Sequence, residues 1–113
     1  MLENKDYCDY DTSVALYELG YDCQVIHLIA EKITLYEAQK WLREEKDIDV
    51  LIKLECKDVY SSLKHYSVYL SYIGSFIRRF QYLLDEFNSY EEALSEGIKI
   101  AVKILKEKLN EET

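Results

Sequence analysis

Three cysteines and two histidines are the residues that could bind a metal or supply a nucleophile. Cys23 and His27 lie four residues apart, while Cys8, Cys56 and His65 are distant from them in sequence. A closed zinc site takes four ligands, usually in two closely spaced pairs, and this chain has one such pair. Cys23 or Cys56 could pair with His27 or His65 in nucleophilic catalysis, but no neighbouring segment indicates an activating turn or an oxyanion hole. We therefore expect free thiols in a reducing compartment, with no metal and no catalytic pair.

Acidic side chains occur as adjacent pairs, which could act in general acid–base catalysis. Glu44–Glu45, Glu91–Glu92 and Glu111–Glu112 fall on the surfaces or at the ends of predicted helices. Pairs in such places are typical of solvated helix faces and caps, whereas catalysis needs carboxyls positioned against a substrate. The sequence also contains no glycine-rich phosphate-binding loop. It thus favours a non-enzymatic protein without a cofactor.

Charge is distributed unevenly along the chain. Fourteen basic and twenty-two acidic residues give a net charge of −8. Residues 1–50 have five bases and twelve acids, whereas residues 51–84 have five bases, two acids and five of the eleven tyrosines. The overall charge excludes non-specific binding of nucleic acid through the whole surface. The acidic first fifty residues either mimic a polyanion for a nuclease groove or form an ordinary solvated surface.

The basic, tyrosine-rich middle of the chain contains the candidate partner-binding residues. Cations and aromatic rings on one sheet face can hold phosphates and stack bases, and tyrosine is enriched in protein interfaces. Tyrosine is equally typical of strands, so an exposed sheet face with salt bridges to Glu55, Asp85 or Glu86 fits the same composition. Arg78 and Arg79 are adjacent on a predicted strand and should belong to opposite faces. The candidate set is Lys53, Lys64, Tyr66, Tyr69, Tyr72, Arg78, Arg79 and Tyr82.

A long C-terminal helix is the clearest prediction. Ser89 and Glu92 form a capping box, and apolar residues follow at helical spacing over Tyr90–Leu109. A surface this apolar must be buried, and we expect it to pack on a sheet. Its apolar face consists of Tyr90, Ala93, Leu94, Gly97, Ile98, Ala101, Val102, Leu105 and Leu109, widened by Ile100 and Ile104.

Two further helices are predicted nearer the N-terminus. A short one is capped by Asp11 or Thr12 and ends at Gly20. The next begins at a second capping box, Thr34 with Glu37, and runs to about residue 46. Its apolar face consists of Leu35, Ala38, Trp41 and Leu42.

Strands are predicted between and after these helices. Cys23–Ile29 has the composition of a short strand, and Ile48–Cys56 alternates as a half-buried strand does. Tyr66–Ile73 is followed by Gly74 and Ser75, which suit a two-residue type II′ turn, and Phe76–Leu84 would return as the partner strand.

The same region also fits one long helix. Its apolar residues follow a 4-3 spacing, which is a heptad pattern. Gly74 and the many tyrosines and serines favour the hairpin instead, so we expect the hairpin and keep the helix as the alternative. The heptad consists of Val59, Leu63, Tyr66, Leu70, Ile73, Ile77, Phe80, Leu84 and Phe87.

These elements predict a single domain over residues 1–113 with an α+β fold. We expect a small, mostly antiparallel sheet, two N-terminal helices, and the long C-terminal helix packed on the sheet. Residues 1–11 are charged and lack the apolar core of a signal peptide, and no apolar run reaches membrane length. We therefore expect a cytoplasmic protein without a membrane partner.

Three segments resemble small uncharacterised proteins encoded by phages and prophages of Bacteroidetes. They are Tyr10–Asp22, the helix Thr34–Lys46 (TLYEAQKWLREEK) with the strand after it, and Phe87–Ile98, which contains SYEEALSEGI. The resemblance implies a short helix, a second helix, a small antiparallel sheet and a C-terminal helix. It implies no catalytic residue. The chain departs from the pattern between Lys57 and Leu84, where it is longer and richer in tyrosine.

A small acidic protein of this origin fits an inhibitor of a bacterial defence effector, by analogy with phage anti-CRISPR proteins. Its partner would be a host defence protein or nuclease ribonucleoprotein, with guide-RNA contact left open, in the host cytoplasm. One alternative is an RNA-binding module that uses the basic, tyrosine-rich sheet. A second alternative is a self-assembling structural phage protein, for example a homodimer.

Overall fold

Three helices and a three-stranded antiparallel sheet make up the part of the chain described by this computed structural model, residues 6–21, 33–56, 64–73 and 78–111. The strands lie in the order β1-β2-β3. The α+β prediction is confirmed, while the strand predicted over Cys23–Ile29 lies outside the described residues. The elements are α1 (Tyr10–Glu18), α2 (Leu35–Glu45), β1 (Ile48–Cys56), β2 (Lys64–Ile73), β3 (Arg78–Phe87) and α3 (Tyr90–Glu111).

Side-chain caps fix the starts of the helices. Thr34 Oγ1 accepts a hydrogen bond from the backbone N–H of Glu37 (3.1 Å), and Ser89 Oγ accepts one from the N–H of Glu92 (3.1 Å). Both predicted helix starts are thereby confirmed.

The predicted cap of α1 was wrong. The cap is Asp9, whose Oδ1 accepts a hydrogen bond from the N–H of Thr12 (2.8 Å). Thr12 itself is buried inside the first turn, so it donates to the cap instead of forming it. The predicted end of α1 at Gly20 is confirmed. Leu19 is the C-cap residue, and Gly20 directly after it has a φ of 106°.

The long-helix alternative was wrong, because β2 and β3 form an antiparallel pair. Their register differs from the predicted hairpin. A two-residue turn at Gly74 and Ser75 would place Ile73 opposite Phe76, but Ile73 lies opposite Arg78. The turn itself falls in residues 74–77, outside the described part. Nearer Tyr66 the pairing shifts twice, as in β-bulges.

The core lies between one face of β1 and β2 and the helices α2 and α3. Val50, Val68 and Leu70 are fully or almost fully buried. Burial falls along β1 towards Leu54, which lies on the same face as Val50 and is 49% exposed. The helices therefore cover the first half of this strand. The helical residues of the core are Ala15, Leu16, Leu35, Ala38, Leu42, Ala93, Leu94, Ile98, Ala101 and Val102.

Helix α3 approaches the sheet through a row of small residues, Ala93, Gly97 and Ala101, spaced four apart and all buried. A Cβ atom at Gly97 would lie 2.5 Å from Val50 Cγ1 and 2.9 Å from Val68 Cγ1. These distances are shorter than van der Waals contact. Glycine is thus required here by the closeness of the helix to two neighbouring strands.

Ion pairs join α1 to α3. Lys99 Nζ lies 3.1 Å from Asp9 Oδ2, and Lys106 Nζ lies 3.0 Å from Glu18 Oε2. Their exposed side chains limit each pair to at most about 1 kcal/mol. Hydrogen bonds from Thr12 hold the pKa of the Asp9 carboxyl below its usual value, and the Lys99 ammonium lowers this pKa further.

None of the helices in the described residues combines the length and the apolar composition that a membrane span requires.

Gly97→Ala should destabilise the protein. Alanine favours the helix by about 1 kcal/mol, but overpacking a core costs about 1–3 kcal/mol, so we expect the free energy of unfolding to fall by up to about 2 kcal/mol. Urea denaturation followed by circular dichroism measures this change. The change should cost less in a Val50→Ala background, where the methyl group closest to residue 97 is absent. Lys103→Ala, on the exposed side of α3, is the control. A Gly97→Ala protein as stable as the control would contradict the close contact.

Asp9→Ala should lower the free energy of unfolding by about 1 kcal/mol at pH 7, since it removes the α1 cap. The Asp9 pKa is lower in the folded state, so its stabilisation is present above the unfolded-state pKa of about 4 and is lost as the pH falls through the folded-state pKa. The difference in the free energy of unfolding between wild type and Asp9→Ala, measured by urea denaturation at each pH, should therefore become smaller below about pH 4. Asp9→Asn keeps a capping oxygen and should cost less at pH 7. A difference that stays constant from pH 7 to pH 3 would argue against this role.

Candidate partner-binding site

The face of the sheet turned away from the helices is the candidate binding surface. Val50, Val68 and Leu70 point to the core, so the residues between them point the other way. Register places Leu51 opposite Tyr69 and Lys53 opposite Ser67. We call this surface the outer face; its residues are Asp49, Leu51 and Lys53 of β1 and His65, Ser67, Tyr69 and Ser71 of β2.

Two of the predicted site residues, Lys53 and Tyr69, share the outer face. Lys53 is exposed and Tyr69 is half-buried, on neighbouring strands. Tyr66 lies on the other side, where its ring packs edge-on against Tyr90 with 6.1 Å between ring centroids. Tyr66 therefore borders the core and is separated from Lys53 and Tyr69 by the sheet.

The other predicted residues are placed by backbone register alone, because their side chains lie outside the described part. Tyr82 lies opposite Tyr69. Arg78 and Arg79 occupy successive positions on β3, opposite Ile73 and Tyr72 respectively. Lys64 lies opposite Cys56 at the far end of β2.

The outer face combines hydroxyls and an aromatic ring with charges of both signs. Ser67 and Ser71 are 0% and 2% exposed, so the central strand presents chiefly Tyr69 and His65. Asp49 and Lys53 lie on the same face of β1, with Leu51 between them. The surface is accordingly less basic than the charge of residues 51–84 suggests. Mixed polar and aromatic composition is typical of protein interfaces.

A groove of about 600 Å³ lies between the starts of α1 and α3. Lys99 lies at its edge, with its Nζ 3.1 Å from Asp9 Oδ2 and 3.5 Å from Glu96 Oε1. The hydrogen bond with Asp9 is the main reason why the pKa of Lys99 is raised. Two of its carboxylates, Asp9 and Glu96, already pair with Lys99. Glu91 and Glu92 of the α3 first turn also line the groove. Across the described residues no group of three or more histidine, cysteine, aspartate or glutamate side chains is arranged to hold a metal.

The thiol of Cys8 is only 2% exposed. Burial raises its pKa to about 12, with a further contribution from the Asp9 carboxylate. A thiol in this state is a poor nucleophile and a poor metal ligand. Of the other candidates, Cys23 and His27 fall outside the described residues, and His65 is half-buried on β2.

An aromatic cluster beside α2 was not predicted from the sequence. Trp41 was assigned to the apolar face, and it packs half-buried against the core. Its ring centroid lies 5.6 Å from that of Tyr21, which lies 5.7 Å from that of Tyr17. Lys46 Nζ lies 5.5 Å from the centre of the Trp41 ring. The sequence does show that Trp41 shares a helix face with acidic residues, because Glu37 lies four residues before it and Glu44 three residues after it.

No family model, curated protein or solved structure matches this chain. The geometry of the outer face, the charge of the chain and the resemblance given above are therefore the basis for a functional proposal.

The Cys8 thiol should resist alkylation in the folded protein. At pH 8 a pKa of about 12 leaves so little thiolate that iodoacetamide should react roughly a thousandfold more slowly than with the urea-unfolded chain. The variant Cys23→Ser/Cys56→Ser isolates this thiol, and mass spectrometry measures the rate. Equal rates in the folded and unfolded protein would show that Cys8 is accessible.

Proposed function

We propose that this protein is a non-enzymatic, phage- or prophage-encoded inhibitor of a bacterial defence effector. Its target would be a CRISPR-associated nuclease or its guide-RNA complex in the host cytoplasm. The observation that carries the proposal is the outer face, where Lys53, Tyr69 and neighbouring polar groups lie opposite the side on which the described helices pack. The resemblance to phage proteins supports this class of target.

Electrostatics supports occlusion as the mechanism. The chain has a net charge of −8, and nucleases that hold guide and target strands do so in positively charged channels. Exposed acids on the described helices, among them Glu18, Glu44 and Glu45, would be attracted to such a channel and repelled by free nucleic acid. The outer face would then supply the desolvated contacts, since aromatic residues dominate binding energy in interfaces.

A second candidate is an RNA-binding module. It is favoured by one arrangement: Lys53 and Tyr69 lie on the same face of neighbouring strands, and Tyr82 lies opposite Tyr69 in register. A row of this kind can stack bases beside a phosphate-binding cation. Asp49 on the same face opposes such binding, which makes a protein target the better proposal.

The decisive experiment combines capture with inhibition. The tagged protein, expressed in a Bacteroidetes host with active CRISPR systems, should retain a nuclease or its guide-RNA complex at near-stoichiometric yield. Added to the purified effector, it should also block cleavage of target DNA. Tyr69→Ala should weaken that inhibition by roughly tenfold or more, because truncating a central aromatic residue costs about 2 kcal/mol.

The matched control is Tyr36→Ala, which removes an exposed tyrosine from α2 and should inhibit as the wild type does. Thermal unfolding confirms that both variants fold. Salt-sensitive capture of RNA without an effector would move the assignment to the RNA-binding module. Normal cleavage in the presence of saturating protein would refute the inhibitor proposal.

A further inference from the structure

A cleft of about 240 Å³ lies between Tyr21 and α2. The ring planes of Tyr21 and Trp41 are inclined at 62° to each other, with 5.6 Å between the ring centroids. The Tyr21 hydroxyl donates a hydrogen bond to Glu37 Oε2 (3.0 Å), which holds the ring and the carboxylate in fixed relative positions. The remaining lining residues are Lys40 and Glu44. The cleft therefore has two inclined aromatic walls and two carboxylates.

Such a combination attracts a cation. The electron-rich faces of aromatic rings attract ammonium and guanidinium groups, tryptophan most strongly. The protein already shows this chemistry, since the Lys46 ammonium lies 5.5 Å from the centre of the Trp41 ring. Glu37 and Glu44 add negative charge on the same side of α2, and Lys40 is the one opposing charge among the five lining residues.

We propose that this cleft binds an arginine side chain of a partner protein. Arginine suits it better than lysine, because its planar guanidinium can stack on one ring while its N–H groups reach the carboxylates of Glu37 and Glu44. The site is separate from the outer face and goes beyond the proposed function. A partner that engages it presents an exposed arginine, in agreement with the acidic charge of the N-terminal half of the chain.

Trp41 is the only tryptophan of the chain, so its signals report on this cleft alone. The full chain is titrated with the peptide acetyl-Gly-Arg-Gly-amide and, separately, with the same peptide containing citrulline, which has nearly the same shape but no charge. The shift of the Trp41 indole N–H in ¹H–¹⁵N spectra and the tryptophan fluorescence are recorded. We expect a saturable change with the arginine peptide, at roughly millimolar concentrations because a single side chain binds, and little change with citrulline.

Variants test whether the named residues form the site. Glu37→Gln/Glu44→Gln keeps an oxygen for the Tyr21 hydroxyl and should weaken arginine binding by roughly three- to tenfold. Glu91→Gln/Glu92→Gln makes the same charge change at the start of α3 and should bind as the wild type does. Lys46→Met should bind at least as tightly as the wild type, since it removes a like charge beside Trp41.

Four results would each overturn the inference. They are an indole signal that does not saturate, an equal response to the citrulline peptide, equal affinities of the two double variants, and a weaker Lys46→Met complex. Thermal unfolding shows that each variant is folded before titration. The probe contains no defence effector, so the outcome does not depend on whether the proposed function holds.

Discussion

Helix α3 lies so close to the sheet that a methyl group does not fit at Gly97, against Val50 and Val68. This contact joins the helix to two neighbouring strands at once, and alanines on the turns before and after extend it along the helix axis. A helix held in this way provides a fixed support for α1, which is joined to it through Lys99 and Lys106. The position of α1 therefore depends in part on how closely α3 approaches the sheet, since α1 also packs Ala15 and Leu16 into the shared core.

The same packing explains why one sheet face is a candidate site. Antiparallel sheets commonly bury one face and leave the other to solvent or to a partner. In the described part the helices contribute their apolar residues to a single core, with Val50 and Leu70 on the strands. Lys53 and Tyr69 occupy the opposite face because their positions alternate with these residues. Surface chemistry on β1 and β2 is therefore a consequence of which residues the helices bury.

Local sequence signals predicted the helices, whereas the choice between a hairpin and one long helix depended on the pairing of strands. Ser89 and Thr34 each precede a glutamate by three residues, so their caps could be recognised in the sequence. The cap of α1 was misassigned because Asp9, Asp11 and Thr12 are all good capping residues within four positions. The heptad and the hairpin fitted the same apolar residues, and only the pairing of β2 with β3 separates them. Tyr66 and Tyr69, three residues apart on β2, were grouped by composition although the sheet places them on opposite faces.

Helix α2 connects the two surfaces of interest. Leu35, Ala38 and Leu42 are buried, and the Gln39 side chain donates a hydrogen bond to the Val50 carbonyl of β1 (2.8 Å). These contacts fix the rotation of the helix, which in turn places Trp41 beside Tyr21. A partner that bound both surfaces would need an arginine for the acidic cleft and a neutral or mixed surface for the outer face. Two sites of different charge on one protein would let it discriminate between partners more sharply than either site alone, because each wrong match leaves a charge without its counterpart.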